Sequence, residues 1–253
     1  MTATIKKRVT QVLFITPPFT QLNTPYPATA YLKGYLKTLG YESKQMDLGI
    51  ELIWKIFSVE GLGQIFHQIE QSQIELSENS ARILRLKKKY LQTIDSVIAF
   101  LQDKNPTLAY TVVEGDFLPE ASRFEQMDDM EWAFGTLGIR DKARYLSTLY
   151  LEDIGDLITE AIDSNFGFSR YAERLGLSAR EFDEMDEALK QPSGLLDEWM
   201  CQILDAKIKD VNPKSIAFSV PFPGNLYGAL KCGQFIKKAY PDIKVWMGGG
   251  YAN

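Results

Sequence analysis

The chain of 253 residues has one histidine and two cysteines, and that scarcity excludes more chemistry than any motif it contains. His67 lies between Phe66 and Gln68 in a helical stretch, so a surface or packing histidine is the ordinary reading. Two imidazoles cannot share a metal, and a Ser-His-Asp arrangement has a single position to use. Cys201 and Cys232 have no CxxC spacing and fall on helical patterns, which reads as buried thiols rather than a disulfide or metal ligands. No run approaches the roughly 18 apolar residues of a membrane span. The basic N-terminus is followed only by Val12-Leu-Phe-Ile15 before Thr16-Pro17, too short for a secretory signal. The expectation is a cytoplasmic protein with no membrane partner.

Positive charge is also short. The net charge is −5, which speaks against a nucleic-acid partner, since phosphate contacts need clustered Lys and Arg. The one compact basic run, residues 82–89, reads as the solvated face of a helix, as do the acidic clusters at Asp128-Asp129-Glu131 and around Glu181 to Glu187. Neither GxGxxG nor GxxxxGK[ST] follows the first strand, which points away from NAD, FAD or ATP. Hydrophobic content of 45% and charged content of 24% are ordinary for a globular chain able to bury a core.

What is present is concentrated at the two ends. Residues 213–253 read as a buried strand (Ser215-Ile-Ala-Phe-Ser-Val220), a turn (Pro221-Phe-Pro-Gly-Asn225), a helix from Leu226 to about Tyr240, and a second apolar strand, Lys244-Val-Trp-Met247, running into Gly248-Gly-Gly250. Strand, helix and strand over this length form a βαβ unit, which demands parallel pairing and a right-handed crossover. The first fifty residues repeat the plan. Gln11-Val-Leu-Phe-Ile-Thr16 is apolar on both faces and stops at Pro17-Pro18. A helix from about Ala28 to Leu39 follows, its apolar face made by Tyr31, Leu32, Tyr35, Leu36 and Leu39. Residues 42–47 alternate as a second strand near a sheet edge.

Between these units the pattern is helical: 50–57 and 64–76, divided by Gly61-Leu-Gly63; a long helix at 80–101; an irregular stretch at 105–127; helices at 128–134 and 141–164; a capping box, Ser178-Ala-Arg-Glu181, opening an acidic helix; and a helix at 194–209 burying Leu195, Trp199, Ile203 and Leu204. Two strands are too few for a sheet alone, so the ends must meet. The expected fold is α/β, a Rossmann-like parallel sheet in flavodoxin-like order 2-1-3-4 and incomplete, from residues 1–50 and 211–253, with a large all-helical insertion at 51–210.

In such a sheet ligands sit beyond the carboxyl ends of the strands, at the switch point between the first and third. Three loops converge there. They contribute Thr16, Pro17, Pro18, Asn23 and Thr24 after the first strand, Ser219, Pro221, Pro223, Gly224 and Asn225 after the third, and Gly248, Gly249 and Gly250 after the fourth. Glycines and helix N-termini there suit a phosphate-bearing or nucleotide-like group. No catalytic residue and no metal ligand set is read from the sequence.

Three stretches carry a resemblance: Pro17-Pro-Phe-Thr-Gln-Leu-Asn-Thr-Pro-Tyr-Pro-Ala-Thr-Ala-Tyr-Leu-Lys-Gly34, Ser219-Val-Pro-Phe-Pro-Gly-Asn-Leu-Tyr227 and Met247-Gly-Gly-Gly-Tyr-Ala-Asn253. They resemble the amino-terminal region of cobalamin-dependent radical S-adenosylmethionine (radical SAM) proteins, over residues 10–50 and 213–253. The resemblance implies a small-molecule cofactor, cobalamin, with its nucleotide tail between the first and third strands. It also implies a following radical SAM barrel whose CxxxCxxC motif holds a [4Fe–4S] cluster and cleaves S-adenosylmethionine, often for methyl transfer. This chain has no CxxxCxxC and lacks the Asp-x-His-x-x-Gly of histidine-ligated cobalamin domains. The expectation is therefore a chain truncated before the barrel, binding but not itself catalytic. Two alternatives stand beside it: a ligand-free Rossmann-like module for protein interaction, favoured by exposed aromatics among Trp54, Phe66, Trp132 and Phe134, and a nucleotide- or flavin-binding flavodoxin-like protein.

Overall fold

The computed structural model describes residues 10–20, 26–127, 138–168, 172–173, 175 and 182–252. In chain order the elements are β1 (Val12–Thr16), α1 (Ala28–Thr38), β2 (Ser43–Asp47), α2 (Leu48–Ile56), α3 (Val59–Gln71), α4 (Glu78–Arg85), α5 (Lys87–Leu101) and α6 (Leu108–Glu114). A 3₁₀ turn (Ser122–Met127), α7 (Gly138–Ala161), α8 (Asp183–Lys190), α9 (Leu195–Val211), β3 (Ser215–Ser219), a second 3₁₀ turn (Pro223–Asn225), α10 (Leu226–Ala239) and β4 (Lys244–Gly248) complete them. The chain divides into two compact units, Met1–Leu52 with Asn165–Asn253, and Ile53–Ser164.

The first unit is the α/β fold. Its four strands are parallel in the order β2-β1-β3-β4. β1 is central, Val12 lying between Ser43 and Ser215, and Leu13, Phe14 and Ile15 are buried as both faces of a central parallel strand require. The polar, alternating β2 is an edge strand.

Two apolar surfaces are not covered as their composition leads one to expect. On α1 only Thr29 is buried, while Tyr31 is 77% and Tyr35 63% exposed. The face read at Tyr31, Leu32, Tyr35 and Leu39 exists but is turned outward, and only Leu36 is half-buried. β4 is the other edge strand, and Trp246 on it is 60% exposed.

The helix expected at 194–209 as part of the insertion belongs with the sheet unit as α9. Its buried stripe is Leu196, Trp199, Met200, Leu204 and Ile208 rather than one through Leu195 and Ile203. Polar ties hold it to α10: the Tyr227 hydroxyl donates to Asp197 Oδ2 at 2.9 Å and the Tyr240 hydroxyl to Asp205 Oδ1 at 2.6 Å. Polar ties of this kind leave no periodic signature in the sequence.

The second unit is helical among its described residues. Gly61 and Gly63 do not divide two helices; they lie in the first turns of α3, capped by Ser58, whose Oγ accepts from the Gly61 N–H at 3.0 Å. Gly61 is required by packing: a Cβ there would lie 1.9 Å from the Lys55 carbonyl oxygen. The long helix expected at 80–101 is two, α4 and α5, parted at Leu86. The core residues of α5 are Tyr90, Thr93, Ile94, Val97 and Phe100. The stretch 105–127, expected irregular, contains α6 and the first 3₁₀ turn. The helix expected at 128–134 and the box at 178–181 lie outside the described residues.

The interior of this unit is built on two tyrosines. Tyr90 and Tyr150 stack with ring centroids 5.1 Å apart, and the Tyr150 hydroxyl meets Thr93 Oγ1 at 3.0 Å. Burial raises both phenols above their ordinary range. Asp153, fully buried on α7, accepts the Ala121 and Arg123 N–H groups, each at 3.1 Å, and so holds the first 3₁₀ turn.

Candidate functional site

The register of the sheet decides which loops meet. Thr16 pairs with Asp47, and Ser219 with Gly248, so the turns leaving β1, β3 and β4 emerge at one carboxyl edge. Thr16 and Ser219 end their strands and are buried. Pro17, Pro18 and Pro221 are buried as well; Pro223, which opens the second 3₁₀ turn, is half-buried, and Gly224 is buried. Gly248 and Gly249 are half-buried and Gly250 is exposed. Asn23 and Thr24 lie outside the described residues.

A direct bond joins the loops on the two sides of the switch point. Asn225 Nδ2 donates to the Pro17 carbonyl at 2.8 Å, and Asn225 is 0% exposed. Just beyond it, an added Cβ on Gly228 would lie 3.1 Å from Pro18 Cδ and 3.3 Å from the Pro18 carbonyl oxygen, so α10 starts close against the first loop. The Pro18–Phe19 peptide is cis. On the far side, the Val220 N–H donates to the Gly248 carbonyl at 2.7 Å and the Tyr251 N–H to the Val220 carbonyl at 3.1 Å. Tyr26 and Phe222 make an edge-on aromatic contact across the first and third loops, with centroids 5.9 Å apart.

The three glycines after β4 are not equivalent. Gly249 has φ +123, and a Cβ would lie 2.6 Å from the Val220 carbonyl oxygen; its glycine character is explained by the chain's own packing. Gly248 has nothing within 4 Å, and Gly250 only the Pro221 carbonyl at 3.5 Å. The free backbone surface at this edge is therefore at Gly248 and Gly250.

Sequence reasoning missed Asp47 and Glu51, which end β2 and begin α2. Asp47 Oδ1 accepts the Ile50 N–H at 3.0 Å, capping the start of α2. Burial pushes its carboxyl up against the lowering effect of that bond, and burial likewise raises Glu51, opposed by Lys207. The signal available was a lone carboxylate at the end of an edge strand, two residues before Gly49. The edge is thus acidic on the β2 side and has a helix N-terminus on the β3 side.

A cavity of about 710 Å³ lies at the opposite end of the sheet, lined by Gln11, Val12, Leu36, Asn212, Ser215 and Lys244 among others. Its size does not make it the better candidate. The helices ending there, α1 and α9, present C-terminal carbonyls, which disfavour the anionic groups that N-termini attract.

Elsewhere the structure supplies little reactive chemistry. Among the described residues no group of three or more His, Cys, Asp and Glu side chains is placed to hold a metal ion. His67 is exposed on α3, in the second unit. Cys201 and Cys232 are free, and burial pushes both thiols up, Cys201 to about 11. No described helix is long and apolar enough to cross a membrane. Comparison of the chain with protein-family models, with curated proteins and with solved structures finds no match.

Proposed function

We propose that the sheet unit is a cobalamin-binding domain of the kind found in radical SAM enzymes, in a cytoplasmic protein, with the cofactor's nucleotide tail at the β1–β3 edge. The observation that carries this reading is the Asn225–Pro17 bond, which brings the loops of β1 and β3 together at the head of α10. Parallel sheets of this order take ligands at such a point.

The residues fit the tail end of the cofactor. Asn225 Oδ1 is buried and has no partner among the described residues, and a Cβ at Gly248 or Gly250, after β4, would meet nothing closer than 3.5 Å. Asn225, Gly248 and Gly250 would hold the tail, with the N-terminus of α10 favouring its phosphate. When bound, cobalamin supplies cobalt chemistry for methyl transfer. This unit contributes no histidine to the metal; its own residues bind and orient. A [4Fe–4S] cluster and S-adenosylmethionine belong, in this reading, to a radical SAM barrel outside these residues.

The test is an absorption titration with hydroxocobalamin. Gly250→Trp is the variant to use, because the position is exposed and its Cβ meets only ordinary contact. Gly249→Trp would confound the result by colliding with Val220. Uptake by the native chain, lost in a folded Gly250→Trp, supports the site; equal uptake by both refutes it.

A second reading, a protein-interaction module, is favoured by the outward aromatic surfaces of α1 and β4. Of the aromatics singled out for it, Trp54 is 53% exposed and Phe66 is buried, while Trp132 and Phe134 lie outside the described residues. Absence of cobalamin uptake by a folded chain removes the cobalamin reading and leaves this module beside the nucleotide- or flavin-binding one.

A further inference from the structure

Away from the carboxyl edge, the helices of the sheet unit enclose a buried cation at a cavity of about 530 Å³. The lining includes Leu189 of α8, Glu198 and Cys201 of α9, and Lys231, Phe235 and Lys238 of α10. Leu189 is buried, Cys201 and Phe235 are half-buried, and Glu198 and Lys238 are exposed, so the lining runs from an apolar floor to a charged rim. Lys231 belongs to the floor, at 5% exposure. An ammonium taken out of water is costly unless close acceptors replace the water it loses.

Lys231 has no such acceptors. Its ammonium carries three N–H groups, and among the described residues it makes one hydrogen bond, to the Gln191 carbonyl at 3.3 Å. Asp197 Oδ2 stands 3.4 Å away, beyond the roughly 2.7–2.9 Å of a charge-assisted bond. That oxygen is engaged by the Tyr227 hydroxyl at 2.9 Å instead. Asp197 is not part of the lining, so a group in the cavity meets the ammonium and not this carboxylate. Cys201 adds no charge: burial first, then Asp197, pushes its thiol up to about 11, against the lowering effect of Lys231. The charged lining residues are Lys231, Lys238 and Glu198, a balance of one positive charge. A singly charged oxyanion matches that balance, whereas a phosphate dianion overshoots it and is repelled by Glu198.

We infer that this cavity binds a small monocarboxylic acid with an apolar body, its carboxylate accepting from the Lys231 ammonium and its hydrocarbon part lying against Leu189 and Phe235. Lys231 then gains the close acceptor that Asp197 does not provide. Lys238 at the rim adds an attraction that salt screens. The site is separate from the β1–β3 edge and does not depend on what binds there.

The experiment is a calorimetric titration of the full chain with benzoate, with benzamide, its neutral counterpart of similar shape, and with inorganic phosphate, each repeated on Lys231→Met. Saturable benzoate binding at least tenfold tighter than that of benzamide or phosphate, and weakened at least tenfold in Lys231→Met, supports the inference. Benzamide or phosphate bound as tightly as benzoate, benzoate binding unchanged in Lys231→Met, or no saturable benzoate binding overturns it. Lys231→Met leaves Asp197 buried without its cation and can fail to fold for that reason. In that case the Lys231 Cε–H resonance is followed in the native chain: a saturable shift with benzoate and none with benzamide supports the inference, and no shift with benzoate, or the same shift with both, overturns it.

Discussion

Individual residues in this chain separate packing from recognition. Gly249 and Gly250 are adjacent and identical in composition, yet their substitutions should differ sharply. Gly249→Ala places a Cβ 2.6 Å from the Val220 carbonyl oxygen in a left-handed backbone, and should cost about 2 kcal/mol or more of stability. Gly250→Ala should change it by less than about 0.5 kcal/mol, which chemical denaturation can resolve. The triple glycine is visible in the sequence; which glycine is structural is not, because the colliding atom belongs to a residue some thirty positions away.

Asp153 gives a residue-scale pH prediction. Burial raises its carboxyl to about 6 against the lowering effect of the Arg123 and Ala121 N–H groups, with Asp156 adding to the rise and Arg123 opposing it. Its folded-state value lies above the unfolded one of 3.8. The fold therefore favours the protonated acid, and this stabilisation, complete below about pH 4, is lost as pH rises through about 6. Relative to Asp153→Asn, the native chain should lose on the order of 2 kcal/mol between pH 4 and pH 7. Urea midpoints for both proteins across that range would show it, and a flat difference would contradict it.

At the scale of elements, the strands were readable and the faces were not. Short apolar runs bounded by Pro, Gly or Asn mark β1 and β3 because both are buried on two sides. The same kind of run marks β4, yet β4 is an edge whose Trp246 and Met247 are largely exposed. Composition reports what a strand is made of, and only the pairing order tells what covers it. The stripe on α1 carries the same lesson. Two tryptophans make the contrast testable. Trp246→Lys should leave stability within about 0.5 kcal/mol, since its ring is already in solvent. Trp199→Ala, at a side chain only 2% exposed on α9, should cost about 3–5 kcal/mol. Thermal or urea unfolding of the two variants provides the comparison.

For the whole molecule, the legible fact was that two strands at each terminus need one another. The sheet has the flavodoxin-like order expected for it, β2-β1-β3-β4. The extent of the helical insertion was not legible, because α9 is held to α10 by Asp197 and Asp205, polar ties without periodic signature. The division of the chain makes a prediction at this scale. Replacing residues 53–164 by a short Gly/Ser linker should leave the sheet unit folded, with far-UV circular dichroism showing retained strand and helix and a cooperative melt. Loss of cooperative unfolding would mean that the two units do not fold separately.

The central claim is that the carboxyl edge between β1 and β3 holds a cofactor. Its most direct measurement is the visible spectrum of hydroxocobalamin titrated with the native chain and with Gly250→Trp. A saturable spectral change with the native chain that a folded Gly250→Trp no longer produces is the predicted result; no change with the native chain, or the same change with both, contradicts it.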